Sequence, residues 1–311
     1  MPLPTFVVIG AAKSGTTALY KYLGQHPDVH LTPREEPSFF AFTGEPPRFR
    51  GPGGTDAAVN TMTVSSREEY ERLFADARPD QARGDVSPVY LYWPGTAERL
   101  AAAVPDVRVI AVLRHPVDRA YSAFMHARRE AKEPLADFRA ALRAEPGRIA
   151  EGYGFLWRYQ DMGRYARQLQ RFLDVFPREQ LFVALYDDLA ADPVHMCRRV
   201  QGFIGVDTAF TPDTSVRHNV SGIPRSRTAY RLMSSGSPVA TAARRVGPLV
   251  GVDRLKAVQA RMRTRLLRRQ GLDRAVRAEL VDSWGEEIRL LAGLLDRDLG
   301  HWLSPDGEQA S

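Results

Sequence analysis

The segment Thr5 to Ile9 (TFVVI), apolar and rich in β-branched residues, runs into Gly10-Ala11-Ala12-Lys13-Ser14-Gly15-Thr16-Thr17 and then into Ala18 to Leu23 at helical spacing. A strand without polar alternation has both faces buried, the habit of parallel sheets covered by helices. A glycine loop joining such a strand to a helix leaves the first N–H groups of the helix free for an anion. Two later segments repeat the pattern. Val107 to Leu113 precedes Arg114-His115-Pro116 and a helical stretch, Asp118 to Arg129, with Pro116 suited to a first helical turn. Leu181 to Leu185 follows the helical spacing of Tyr165, Leu169, Phe172 and Leu173. The alternation predicts an α/β fold: a single domain over residues 1–303, with a central parallel sheet flanked by helices and a frayed tail at 304–311.

Within the glycine loop Lys13 adds a point charge, and Thr16 and Thr17 add hydroxyl donors. The order departs from the triphosphatase pattern G-x-x-x-x-G-K-[ST], because the lysine comes before the second glycine. A triphosphate user needs a metal to bridge its phosphates, and no carboxylate stands out as that metal's ligand. An anion with less charge at the transferred group is better served by one lysine. The net charge of +6 suits an anionic ligand, and arginines concentrate between Arg217 and Arg269. That run reads as a solvated helix face, a wall of the anion site, or a surface for nucleic acid or membrane. Residues Gly44 to Val59 are Gly/Pro-rich and read as an irregular loop near the cleft. Ile288, Leu290, Leu291, Leu294 and Leu295 give an amphipathic helix. The single cysteine, Cys197, reads as a small buried hydrophobe and allows no intramolecular disulfide. With no long apolar segment, the expected location is cytoplasmic, without a membrane span. The histidines, among them His26, His115 and His218, show no metal-ligand spacing and read as loop residues.

Six blocks in order resemble the PAPS-dependent sulfotransferases, especially the heparan sulfate branch and bacterial carbohydrate or natural-product enzymes. They are IGAAKSGTTALYKYLGQHPDV with EEPSFF, GDVSPVYL, LRHPVDRAYSAF, GRYARQLQRFLDVFPREQLFVALYDDL, HNVSGIPRSR and LLDRDLGHWL. The resemblance implies a P-loop-like loop, Lys13, Ser14, Gly15, Thr16 and Thr17, that binds the 5′-phosphosulfate of 3′-phosphoadenosine 5′-phosphosulfate (PAPS), with PAP as product. Lys13 matches the lysine at the leaving oxygen, and Arg114 and Ser122 match the pair that binds the 3′-phosphate. A guanidinium fork suits a phosphate. Arg225 or Arg227, in the late loop, is a further candidate for that phosphate. Glu36 matches the catalytic base, with Glu35 its neighbour and with Asp85 and His115 next in line.

Sulfuryl transfer without a metal, to a hydroxyl or amine of a small-molecule, glycan or lipid acceptor, is the function so implied. No nucleic-acid partner is expected, peripheral contact with a membrane stays open, and oligomeric state is not legible. Ser38 and Val86 stand where heparan-type enzymes commonly carry histidine and lysine, which removes charge near the acceptor. A small-molecule kinase using ATP and a noncatalytic anion-binding protein are the rival readings.

Overall fold

A computed structural model describes residues 3–52, 56–130, 132–215, 223–224, 267–268 and 271–304. Strands β1 (Phe6–Gly10), β2 (Val29–Leu31), β3 (Ala82–Val86), β4 (Arg108–Leu113) and β5 (Leu181–Leu185) form one parallel sheet in the order β2-β3-β1-β4-β5. The helices are α1 (Thr16–Leu23), α2 (Ala57–Met62), α3 (Arg67–Arg72), α4 (Thr96–Ala103), α5 (Pro116–Arg129), α6 (Phe138–Ala150), α7 (Tyr165–Leu173), α8 (Tyr186–Ala191), α9 (Pro193–Ile204), α10 (Arg274–Ser283) and α11 (Gly285–Leu295). A short antiparallel pair, β6 (Ile223–Pro224) with β7 (Leu267–Arg268), and short 3-10 turns, among them Phe39–Ala41 and Gly300–Leu303, accompany them. None of the described helices is long and apolar enough to cross a membrane.

Side-chain alternation along β1 and β4 divides the interior into two cores. Val7, Ile9, Val109, Ala111 and Leu113 pack with residues of α4, α5, α6, α7, α10 and α11. Phe6, Val8, Ile110 and Val112 pack with Leu19 and Leu23 of α1 and with Met196, Cys197 and Val200 of α9. Covering both faces is what makes the unalternated apolar run affordable to the fold, each fully buried Val, Ile or Phe contributing about 1.5–3 kcal/mol. Gly84 of β3 faces Phe6, and a β-carbon there would lie 2.2 Å from the Phe6 ring. Cys197 is fully buried, as its sequence setting suggests, and burial pushes its thiol up to about 12.

Boundaries shift slightly from the sequence reading. β1 continues to Gly10, β4 begins at Arg108, and α5 begins at Pro116, two residues before the predicted start. His115 explains that start: its Nδ1 accepts a hydrogen bond from the Val117 N–H at 3.2 Å and caps the helix. On α11 Ile288 and Leu291 are buried, whereas Leu290 points outward. The Gly/Pro-rich loop ends early, because α2 opens at Ala57. Asp56 before it is buried and accepts from the Gly154 N–H at 2.9 Å and the Trp157 Nε1–H at 3.3 Å. Asp56→Ala strands both donors and should destabilise the protein by about 1–3 kcal/mol. Urea unfolding checks this; an unchanged midpoint would show that this tether contributes nothing.

From β1 the chain moves outward to β2, returns to β3 beside β1, and only then crosses to β4 on β1's other side. The carboxyl ends of β3, β1 and β4 therefore flank the point where the winding reverses, the place where open parallel sheets bind ligands.

Candidate active site

The loop after β1 sits at that crevice and leads into α1. Gly15 occupies the N-cap of α1 with φ of +89°, and no side chain caps the helix. A β-carbon on Gly15 would lie 2.8 Å from Leu189 Cδ2 and 3.1 Å from the Tyr186 ring, so only glycine fits. The first N–H groups of α1 are thus left for an incoming anion. Ser14 is fully buried, and among the described residues its Oγ has no hydrogen-bond partner of good geometry. The Tyr165 hydroxyl lies beside it, but that proton goes to the Arg114 carbonyl oxygen at 3.0 Å. An orphaned hydroxyl beside an uncapped helix fits a multidentate anion such as the phosphosulfate.

Cations gather around the same loop. Arg114, one residue past β4, donates from Nη1 to the Lys13 carbonyl oxygen at 3.3 Å and lies over the Tyr186 ring at 4.7 Å. Ser122 is buried nearly two turns into α5. Burial first, then the charge of Arg129, with Arg114 and Arg119 adding to it, lowers the Lys13 ammonium to about 8. Glu36 pulls the other way. Such mutual repulsion is relieved when an anion enters.

Residues that sequence reasoning passed over lie on the same face of α5 as Ser122, at i+4 and i+7. Arg129 Nη2 donates to His126 Nδ1 at 2.8 Å. Burial, followed by the charges of Lys13, Arg129 and Lys132, lowers His126 to about 3, so its imidazole is neutral at pH 7. The helical spacing Ser122–His126–Arg129 was the available signal. Arg129 thus adds a positive charge near Lys13 from the far end of α5. Arg119, on the same helix, is fully buried; its Nη2 donates to the Tyr159 carbonyl oxygen and its Nε is unpartnered among the described residues.

Glu36 faces this group from a loop leaving β2. Its surroundings raise the carboxyl to about 7, through desolvation first, then the charges of Glu35 and Asp85, against the pull of Lys13. The side chain is nonetheless exposed to solvent. Water in contact with the side chain moderates that rise. The fallback bases are unsuited to the role. Asp85 is sealed by three hydroxyls, and His115 has both ring nitrogens engaged, with Nε2 at 2.9 Å from the Trp302 carbonyl oxygen. His26 closes a buried turn through Asp28 N–H and the Asp207 carbonyl oxygen. Arg225, Arg227, His218, most of the basic run and residues 305–311 lie outside the described residues.

Residues 4–211, more than half of the chain, match the Sulfotransferase family. The chain belongs to the sulfotransferase family. This sulfotransferase is 32% identical over 207 residues to the human bifunctional heparan sulfate N-deacetylase/N-sulfotransferase 3, covering 66% of this chain and 22% of that protein. It is 27% identical over 242 residues to the mouse heparan sulfate glucosamine 3-O-sulfotransferase 3B1, covering 76% of this chain and 54% of that one. It thus spans between about a fifth and about half of the length of these curated relatives. A crystal structure of a sulfotransferase from Alicyclobacillus acidocaldarius superposes with a TM-score of 0.76 at 35% identity, covering 98% of this chain and 100% of that one.

Proposed function

We propose that this sulfotransferase moves a sulfuryl group from PAPS to a hydroxyl or amine of a small-molecule, glycan or lipid acceptor. The observation that carries this reading is the meeting of Lys13 and Glu36, each among the charged groups that shift the other, at the uncapped start of α1. The donor supplies the sulfuryl group and departs as PAP. The α1 N–H groups, the Ser14, Thr16 and Thr17 hydroxyls and the Lys13 ammonium hold the 5′ end, and Lys13 keeps positive charge where the leaving oxygen turns negative. Arg114 and Ser122 hold the 3′-phosphate, and Arg225 or Arg227 adds to them. Glu36 takes the acceptor's proton. The catalytic domain extends over 1–303, in keeping with the burial of Trp302 against the α5 cap, and acts in the cytoplasm.

The chain passes from the Glu36 loop through Ala41 and Phe42 into a groove of about 450 Å³ that Phe49, Trp93 and Arg158 also line. Phe42 and Trp93 have ring centroids 4.8 Å apart, and the Arg158 guanidinium lies 5.6 Å from the Trp93 ring. We assign this aromatic wall to the acceptor, whose rings it would stack.

Calorimetry with adenosine 3′,5′-bisphosphate, AMP and ATP, all in EDTA, tests the donor. The bisphosphate should bind tightest; equal or tighter ATP binding would overturn the reading in favour of a kinase. Arg114→Ala should weaken the bisphosphate by about 1.5–3 kcal/mol, the range for a hydrogen bond to a charged group. Unchanged affinity would remove Arg114 from the site.

A further inference from the structure

Asp85 is a fully buried aspartate in β3, and among the described residues no arginine or lysine pairs with it. Three hydroxyls hold it instead. Tyr70 and Tyr90 donate to Oδ2 at 2.7 and 2.6 Å, and Ser87 donates to Oδ1 at 2.7 Å. An isolated buried carboxylate is costly, so these bonds offset its desolvation in part. Desolvation still pushes the Asp85 carboxyl above the usual aspartate range, and the three hydroxyls pull it back.

Two of those hydroxyls pass the interaction on to the loop that carries Glu36. Ser87 Oγ accepts from the Ser38 N–H at 3.0 Å, and the Tyr90 hydroxyl accepts from the Phe40 N–H at 3.3 Å. The Glu36 N–H donates to the Val86 carbonyl oxygen at 3.2 Å. Residues 36, 38 and 40 are thus fastened in alternation to the end of β3. The loop needs fastening, because Glu36 and Ser38 both have φ of +59°, a left-handed backbone that costs a non-glycine residue about 1–2 kcal/mol. The third hydroxyl adds a clamp from the other side, since the Tyr70 ring stacks on Phe39 at 4.3 Å and meets Phe40 edge-on at 5.3 Å. A hydroxyl that donates to a carboxylate is polarised into a stronger acceptor, so the chain of bonds depends on the Asp85 charge and not only on its shape.

We propose that Asp85 is the positioning residue for Glu36: its carboxylate orients the Ser87 and Tyr90 hydroxyls and, through them, holds the Glu36–Phe40 loop with Glu36 in the cleft. This rests on the reading of Glu36 as the base. Asp85 acts without meeting substrate. The charged groups facing Glu36 are Glu35, Lys13 and Asp85; removing the Asp85 charge takes away one that favours the protonated form, so the Glu36 titration moves to lower pH.

The test needs no acceptor. Glutamate carboxyl carbons are followed by NMR through a pH titration of the whole chain, with Glu36 assigned by its loss in Glu36→Gln. In Asp85→Asn the Glu36 midpoint should fall and the Ser38 and Phe40 amides should exchange about 10-fold faster or more, the effect of weakening bonds to a charged group. Wild-type midpoint and wild-type exchange at both amides would overturn the proposal. Should Asp85→Asn fail to fold, Ser87→Ala decides: faster exchange at Ser38 with Phe40 protected supports the relay, and no change at Ser38 refutes it. Failure of the base assignment would show separately, as full turnover in Glu36→Gln alongside the same NMR changes.

Discussion

Glu36→Gln should lower turnover by about 10²–10⁴-fold at saturating acceptor while leaving affinity for adenosine 3′,5′-bisphosphate nearly unchanged. The substitution keeps the size of the side chain and removes its basicity, so the loss reports proton abstraction and not a collapsed loop. Glu35→Gln should change turnover little, because Glu35 bears on the proposed base as a neighbouring charge and is not itself assigned the proton. The measurement needs a true acceptor, found by screening with radiolabelled PAPS, since a badly placed one would be limited by its own geometry. Near wild-type turnover in Glu36→Gln, with Glu35→Gln inactive, would shift the base by one residue.

The two shifted groups also set a pH window. As the proposed base, Glu36 must be ionised to take a proton, and its carboxyl is raised to about 7, so kcat/KM should rise as pH passes upward through that value. Lys13 must be protonated, and its ammonium is lowered to about 8, so kcat/KM falls above that value. The free enzyme therefore gives a narrow bell between them, and Glu36→Gln should lose the acidic limb. Bound donor adds negative charge beside Lys13 and moves the basic limb of kcat upward.

Lys13→Ala is the second large effect. In the role proposed for it, its charge opposes a negative charge that grows on the leaving oxygen as the bond to sulfur lengthens, so it would act more strongly in the transition state than on the bound donor. By comparison with loss of a single oxyanion donor, kcat should drop about 10²–10³-fold, with donor affinity falling by less. Lys13→Arg should recover little, because a planar fork replaces a compact charge in a loop where Lys13 itself has a left-handed φ of +71°. Weakened binding with intact turnover at saturation would place Lys13 away from the reacting bond.

What could be read in the residues follows from how local each signal is. The strand, loop and helix over 5–23 are contiguous, and their apolar run and glycines report the structure directly. β3 is harder, since ARGDV carries two charged residues and lacks the apolar run of a central strand. It is tolerated there because Gly84 admits Phe6 and because hydroxyls from positions 70, 87 and 90 converge on Asp85, a convergence that no local spacing announces. Glu36 was found through the resemblance alone; its left-handed backbone and its place opposite Lys13 emerge only from the folded chain. The face of α5 beyond Ser122 was legible in its periodicity, but which neighbours that face would meet was not.

That face makes α5 a rigid gauge. Seven residues separate Ser122 from Arg129, which at 1.5 Å per residue is roughly 10 Å of helix axis. One end stands where the 3′-phosphate is proposed to sit and the other beside the Lys13 ammonium. Because the rod cannot stretch, the proposed placement of the 3′-phosphate at Ser122 implies that α5 would compare the distance between the two ends of a donor with its own length. On that reading a nucleotide whose anionic groups are spaced differently would fit one end less well, and a single helix would contribute selection by span.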